Sequence, residues 1–217
     1  MENRRRAAVI VGVLFLAAYV GIFAGGALSA PLSTPDARVL ADPGVRARSI
    51  AGLVAELVLN DAAIIAIAAL MFPVFRRFGE GAALALLGVR IAEAAMLAVG
   101  AAGAASLLAL PGDSVPGLAP ALLAFRHWSG KLSTAFFVIG AFLFYALLLR
   151  SRLVPRFLSL WGLFAAACLA AANIVGIPDL TQDFEVPMLL YFPIVLSELL
   201  TAVWFIAKGW SEPGGLR

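Results

Sequence analysis

Apolar blocks about 20 residues long, separated by short segments rich in proline, glycine and charge, set the limits on this fold. Six blocks stand out: Ala7–Leu28, Ile50–Val74, Ala82–Leu110, Leu122–Leu149, Phe157–Ile177 and Met188–Ala207. A helix rises ~1.5 Å per residue, so each block is long enough to cross a hydrocarbon core ~30 Å thick. In that core no water reaches backbone N–H and C=O groups. A helix satisfies them internally and an unclosed strand does not, so every block is predicted to be a transmembrane helix. The composition agrees: 63% of the residues are hydrophobic, against roughly 45–50% in a soluble domain, and the mean hydropathy is +1.00. The predicted fold class is all-α, a polytopic membrane bundle of six transmembrane helices. No polar linker divides it, so residues 1–217 are read as one domain.

The net charge of +3 and a pI near 9.5 would suggest nucleic acid in a soluble chain. Here the basic residues sit at block ends, which is the pattern that orients membrane proteins, and no nucleic-acid partner is expected. With the N-terminus inside, the inner segments hold Arg4, Arg5, Arg6, Arg76, Arg77, Arg150, Arg152, Arg156, Lys208 and Arg217. The outer segments hold Arg38, Arg46 and Arg48, with Arg126 and Lys131 near the outer end of helix four and acids at Asp179, Asp183 and Glu185. Both termini are therefore expected on the cytoplasmic side of a cell inner (plasma) membrane, with lipids as surrounding partners. "MENRRR" followed by an apolar run imitates a signal peptide. The run is about 22 residues, however, longer than the 7–15 of a typical signal core, so it is read as an uncleaved first span. Pro193 is expected to kink the sixth helix and Pro73 to mark the last turn of the second. Small residues in "AVGAAGAAS" and "FAAACLAAAN" suit close helix packing.

Within these blocks lie charges that lipid does not tolerate. Counting ~1.5 Å per residue from the inner anchors, Arg90 and Glu198 lie at ~15 Å, and Glu93 and Asp61 at ~20 Å. Each costs roughly 2.5–3.5 kcal/mol near the bilayer centre before pairing. They are expected to face the bundle interior and one another. Arg90 and Glu93, three apart, share a helix face. Arg90 is level with Glu198, and Glu93 with Asp61. The expected cluster is Arg90 flanked by Glu93, Glu198 and Asp61. It carries more carboxylates than one guanidinium neutralises, so a leftover carboxyl, out of water beside like charges, is a candidate proton donor. Asn60 adjoins Asp61 and shares a face with Glu56, which lies near the outer interface. His127, Arg126, Trp128 and Lys131, in "AFRHWSGK", have the composition of an interfacial anchor or of an outer-mouth site for a polar or anionic head group. Tyr145, Trp161, Trp204 and Trp210 are read as belt or core aromatics.

Other chemistry has no foothold. No phosphate-binding loop, nucleophile elbow, HExxH or CxxC is present. One histidine and one cysteine, Cys168, offer no metal site, and no cofactor is expected. Three function classes stay open: a bundle binding an apolar or lipid-like molecule, with Glu93, Glu198 and Asp61 as candidate acid/base groups; a small proton-coupled transporter acting as a homodimer; and an accessory or sensory membrane protein whose cluster is purely structural.

Three stretches carry a family resemblance: "FPVFRRFGEGAALALLGVRIAEAAMLAVGAAGAASLLAL", "LLLRSRLVPRFLSLWGL" and "IVLSELLTAVWFIAKGW". Together they resemble a bacterial membrane family, the domain of unknown function 4386, from about Ile50 onward. The Arg-x-x-Glu-Ala pattern falls on Arg90, Glu93 and Ala94. The other two patterns fall on Leu153 to Gly162 and on Glu198 to Gly209. The resemblance implies a small polytopic membrane protein. It adds weight to Arg90, Glu93 and Glu198, and it implies no substrate.

Overall fold

A computed structural model describes residues 2–33, 37–109, 117–175 and 188–210. Among these the regular structure is all helical. Helix α1 spans Glu2–Ser29 and runs into a 3-10 turn, Ala30–Leu32. A short α2, Ala37–Leu40, precedes α3, Pro43–Ala55. A π-helical stretch, Glu56–Asp61, joins α3 directly to α4, Ala62–Ala109. Then follow α5, Leu118–Ser151, α6, Arg156–Val175, and, after a 3-10 turn at Met188–Leu190, α7, Phe192–Lys208.

Four stretches are long and apolar enough to cross a membrane: Arg4–Leu32, Pro43–Ala109, Leu118–Ser151 and Arg156–Ile174. The second, of 67 residues, is not straight. Gly79 leaves the helical region (φ 166°, ψ 92°) and divides α4 into arms 62–78 and 80–109. Asn60 and Glu93 line one cavity, although a straight helix would hold them ~50 Å apart. The two arms therefore fold back on each other. "RRFGEG", which lies between the second and third apolar blocks, is helical except for one extended residue, Gly79. Arg76 and Arg77 stay helical because nothing before Gly79 interrupts their hydrogen bonds. Pro73 is accommodated within the first arm, which continues past it.

Other boundaries follow from local chemistry. Asp42 caps α3 by accepting the Val45 N–H at 2.9 Å, with Pro43 just inside. The first N–H groups of a helix have no intrahelical partner, so proline is tolerated there. The same rule corrects the expected kink at Pro193. It sits in the first turn of α7, where no hydrogen bond is lost. Asp179, Asp183 and Glu185, and the end of the fifth block, lie outside the described residues.

One close helix crossing is not among those that the distribution of small residues singled out. Gly21, Gly25 and Ser29 recur every four residues along one face of α1. They meet Gly52, Glu56 and Asn60, spaced likewise on α3 and the π stretch. A Cβ on Gly52 would stand 2.6 Å from the Gly25 carbonyl oxygen and 2.7 Å from the Ser29 nitrogen. A Cβ on Gly25 would stand 2.7 Å from Glu56 Cγ. Backbones touch here because neither helix has a side chain in the way, the device expected where lipid offers no hydrophobic drive to pair helices.

At one end of the bundle, Arg4, Arg77, Leu153 and Trp210 surround a small cavity of about 100 Å³. Above it Phe75 and Phe144 pack edge to face, 5.7 Å between ring centroids, and Phe15 meets Phe144 in the same way. This aromatic layer forms the floor beneath the polar residues of the bundle interior.

Candidate functional site

Arg90 and Glu93 lie on the second arm of α4, one helical turn apart, at 6% and 4% exposure. Arg90 Nη1 donates to Glu93 Oε2 at 2.9 Å. Helix α5 is shaped around them. Ser133, Phe137 and Gly140 fall on one face at helical spacing. Ser133 Oγ donates to the Glu93 carbonyl at 3.2 Å. The Arg90 guanidinium stands over the Phe137 ring, 4.8 Å from its centroid, a cation–π contact that partly replaces lost water. It fills the space that Gly140 leaves open, where a Cβ would be 3.0 Å from Nε.

Glu198 approaches from α7, buried to 8% exposure. Tyr19 of α1 donates its hydroxyl to Glu198 Oε2 at 2.8 Å. Beside it, Tyr145 and Ser197 share a hydrogen bond of 2.9 Å, and Thr201 Oγ1 donates to the Ser197 carbonyl at 2.7 Å. Hydroxyls thus hold α7 to α1 and α5 around the acid.

Arg90, Glu93, Ser133, Phe137, Glu198 and Tyr19 line a chamber of about 410 Å³. Its polar wall holds Arg90, Glu93, Glu198, Tyr19 and Asn60, and the remainder is largely apolar, including Phe15, Ile67, Leu86 and Phe144. Between α1 and α7 the wall is made by Ile22, Phe23, Tyr191 and Val195. Ile22 and Phe23 are 48% and 65% exposed, so on this side the chamber reaches the outer surface of the bundle.

Four of the residues read from the sequence, Asn60, Arg90, Glu93 and Glu198, line the chamber. Among the described residues no ion pair joins Arg90 to Glu198, whose oxygen is taken by Tyr19 instead. Asp61 is buried at 5% exposure but is not in the chamber wall. Its carboxylate accepts from the Asn60 side chain at 3.0 Å. Asn60 reaches the chamber, while Glu56 turns away from it, between Ser29 and Arg126. There it accepts from Ser29 Oγ at 3.0 Å and lies 3.6 Å from Arg126 Nη2. His127 and Lys131 line a separate, wider cavity of about 620 Å³.

Tyr19, Ser133, Phe137 and Gly140 were absent from the expected cluster. Tyr19 had a usable signal: it is the one polar side chain in the Ala7–Leu28 block. Tyr19→Phe removes a hydrogen bond to a buried acid, and a loss of about 1.5–3 kcal/mol is expected in denaturant titration of the detergent-solubilised protein. An unchanged midpoint would show that Tyr19 contributes nothing there.

The model of a family described as domain of unknown function DUF4386 matches residues 10–209. The chain belongs to the DUF4386 family. The DUF4386 match contains every polar residue of the chamber, from Tyr19 on α1 to Glu198 on α7. It also takes in the first helix, which the resemblance read from the sequence did not reach. No curated protein and no solved structure matches the chain.

Proposed function

We propose that this DUF4386 protein is a six-span bundle of the cell inner membrane, with both termini cytoplasmic, that binds an apolar or lipid-like small molecule in the chamber between α1, α4, α5 and α7. The fold-back at Gly79 supports two crossings within Pro43–Ala109, and α7, 17 residues long, spans ~26 Å. The charge excess of the inner segments supports the orientation.

The observation carrying the binding reading is unspent hydrogen-bonding capacity facing apolar space. A guanidinium has five N–H donors. Among the described residues Arg90 makes one hydrogen bond, to Glu93, and it lines the chamber. A purely structural cluster would close its donors on protein acceptors, because unsatisfied polar groups are costly out of water. An apolar molecule carrying a carbonyl or hydroxyl oxygen would accept from Arg90, and a hydroxyl would donate to Glu93 or Glu198. The two acids give the same site the means to pass a proton to a bound molecule. The exposed Ile22 and Phe23 give a lateral way in from lipid.

Native mass spectrometry of the purified protein tests this. The expected result is a retained small molecule on the wild type and none on Ala18→Leu or Ala68→Leu, each of which adds apolar bulk at the chamber wall. Equal adducts on all three folded proteins, or no adduct on any, would contradict it.

A further inference from the structure

The wide cavity beside His127 and Lys131 shares Leu97, Thr134 and Tyr191 with the chamber, so the two spaces adjoin. Their chemistry is opposite. The chamber is mainly apolar and holds two acids and one cation, whereas the neighbouring vestibule is lined by Arg126, His127 and Lys131 and, among the described residues, by no acid. Lys131 is half-buried and has no acidic partner among the described residues. Arg126 reaches Glu56 with one nitrogen, while its Nη1 is buried with no hydrogen-bond partner. Lys131, Thr134 and Phe137 step along α5 three residues at a time. The vestibule therefore lies ~9 Å along the helix from the ring that holds Arg90. Counted along α5 from Arg150, Lys131 lies ~28 Å from the inner end, just inside the outer boundary of a ~30 Å hydrocarbon core in the proposed orientation.

We infer that the vestibule binds the anionic head group, phosphate or carboxylate, of a single-chain amphiphile whose apolar body occupies the chamber. This rests on the chamber reading above and adds the class of ligand. Lys131 supplies a point charge, and Arg126 and His127 line the wall beside it. Tyr191 and Thr134 line the passage between head and tail.

Binding calorimetry on the full chain in a neutral detergent separates the cases, using dodecyl phosphate, 1-dodecanol and inorganic phosphate as probes. Dodecyl phosphate is expected to bind the wild type about tenfold or more tightly than 1-dodecanol, the worth of one charge-assisted hydrogen bond. Lys131→Gln removes that preference and leaves 1-dodecanol unchanged, and Lys131→Arg restores it. Equal affinity for the two alkyl probes, unmoved by Lys131→Gln, would overturn the head-group site while leaving the chamber reading intact. Inorganic phosphate binding as tightly as dodecyl phosphate, with no effect of Ala68→Leu, would overturn it in favour of a free-anion site. Failure of both alkyl probes to bind would remove the chamber reading and this inference with it.

Discussion

Arg90→Met is expected to destabilise the protein by about 3–5 kcal/mol, the usual cost of removing one partner from a buried ion pair. The variant leaves Glu93 and Glu198 in an apolar chamber with no cation. It also abandons the stack on Phe137 and the space beside Gly140. Arg90→Met/Glu93→Leu removes both charges of the pair, and most of the lost stability is expected to return, because apolar side chains of similar volume often replace a buried pair without penalty. Denaturant titration of solubilised protein checks both. The double variant also separates two roles. If the pair only fixes helix register, a stable double variant keeps its bound molecule. If the pair holds a ligand, the double variant is stable and empty, as the chamber reading requires.

Gly52→Leu is expected to have the other large effect. The added side chain would be driven into the Gly25 carbonyl and the Ser29 backbone nitrogen. Backbone atoms cannot rotate aside as a flexible side chain can, so the cost should reach or exceed the ~1–3 kcal/mol of ordinary overpacking. Helix α1 must move away, and it carries Tyr19, Ile22 and Phe23, one whole side of the chamber. Loss of ligand should therefore accompany the loss of stability, although Gly52 touches no part of the site. A variant as stable as wild type would show that the α1–α3 crossing is looser than its geometry implies.

The helices and the central polar residues were legible because lipid imposes strict rules. A span needs about 20 apolar residues, and a charge inside one must face inward. Those two rules located Arg90, Glu93 and Glu198. Depth, however, is a one-dimensional measure. It puts Asp61 level with Glu93 but cannot say which way Asp61 points, and Asp61 turns to Asn60 rather than into the chamber. The π-helical stretch at Glu56–Asp61 changes the residue count per turn. Faces projected from ordinary helical spacing do not carry through such a stretch, and these insertions often accompany functional sites. Glu198 was matched to Arg90 by depth alone, and the hydroxyl that reaches it comes from the first helix. Pairing across helices depends on which helices are neighbours, and hydropathy does not encode that order. The glycine face of α1 was visible at four-residue spacing, but its partner face straddles α3 and the π stretch.

Photolabelling maps the chamber most directly. A diazirine analogue of 1-dodecanol would be irradiated with protein in neutral-lipid nanodiscs, and labelled peptides identified by mass spectrometry. Helix α6 supplies an internal control, because Phe157, Leu160 and Phe164 are exposed on the bundle surface away from the chamber wall. The prediction is strong labelling between Tyr19 and Phe23, between Tyr191 and Glu198, and around Phe137, suppressed by excess unlabelled 1-dodecanol and by Ala68→Leu. Labelling of the α6 surface should be weak and insensitive to competition. Uniform labelling of all lipid-facing helices, with no competition at Tyr19–Phe23, would contradict a binding chamber and leave the Arg90 cluster as a structural device.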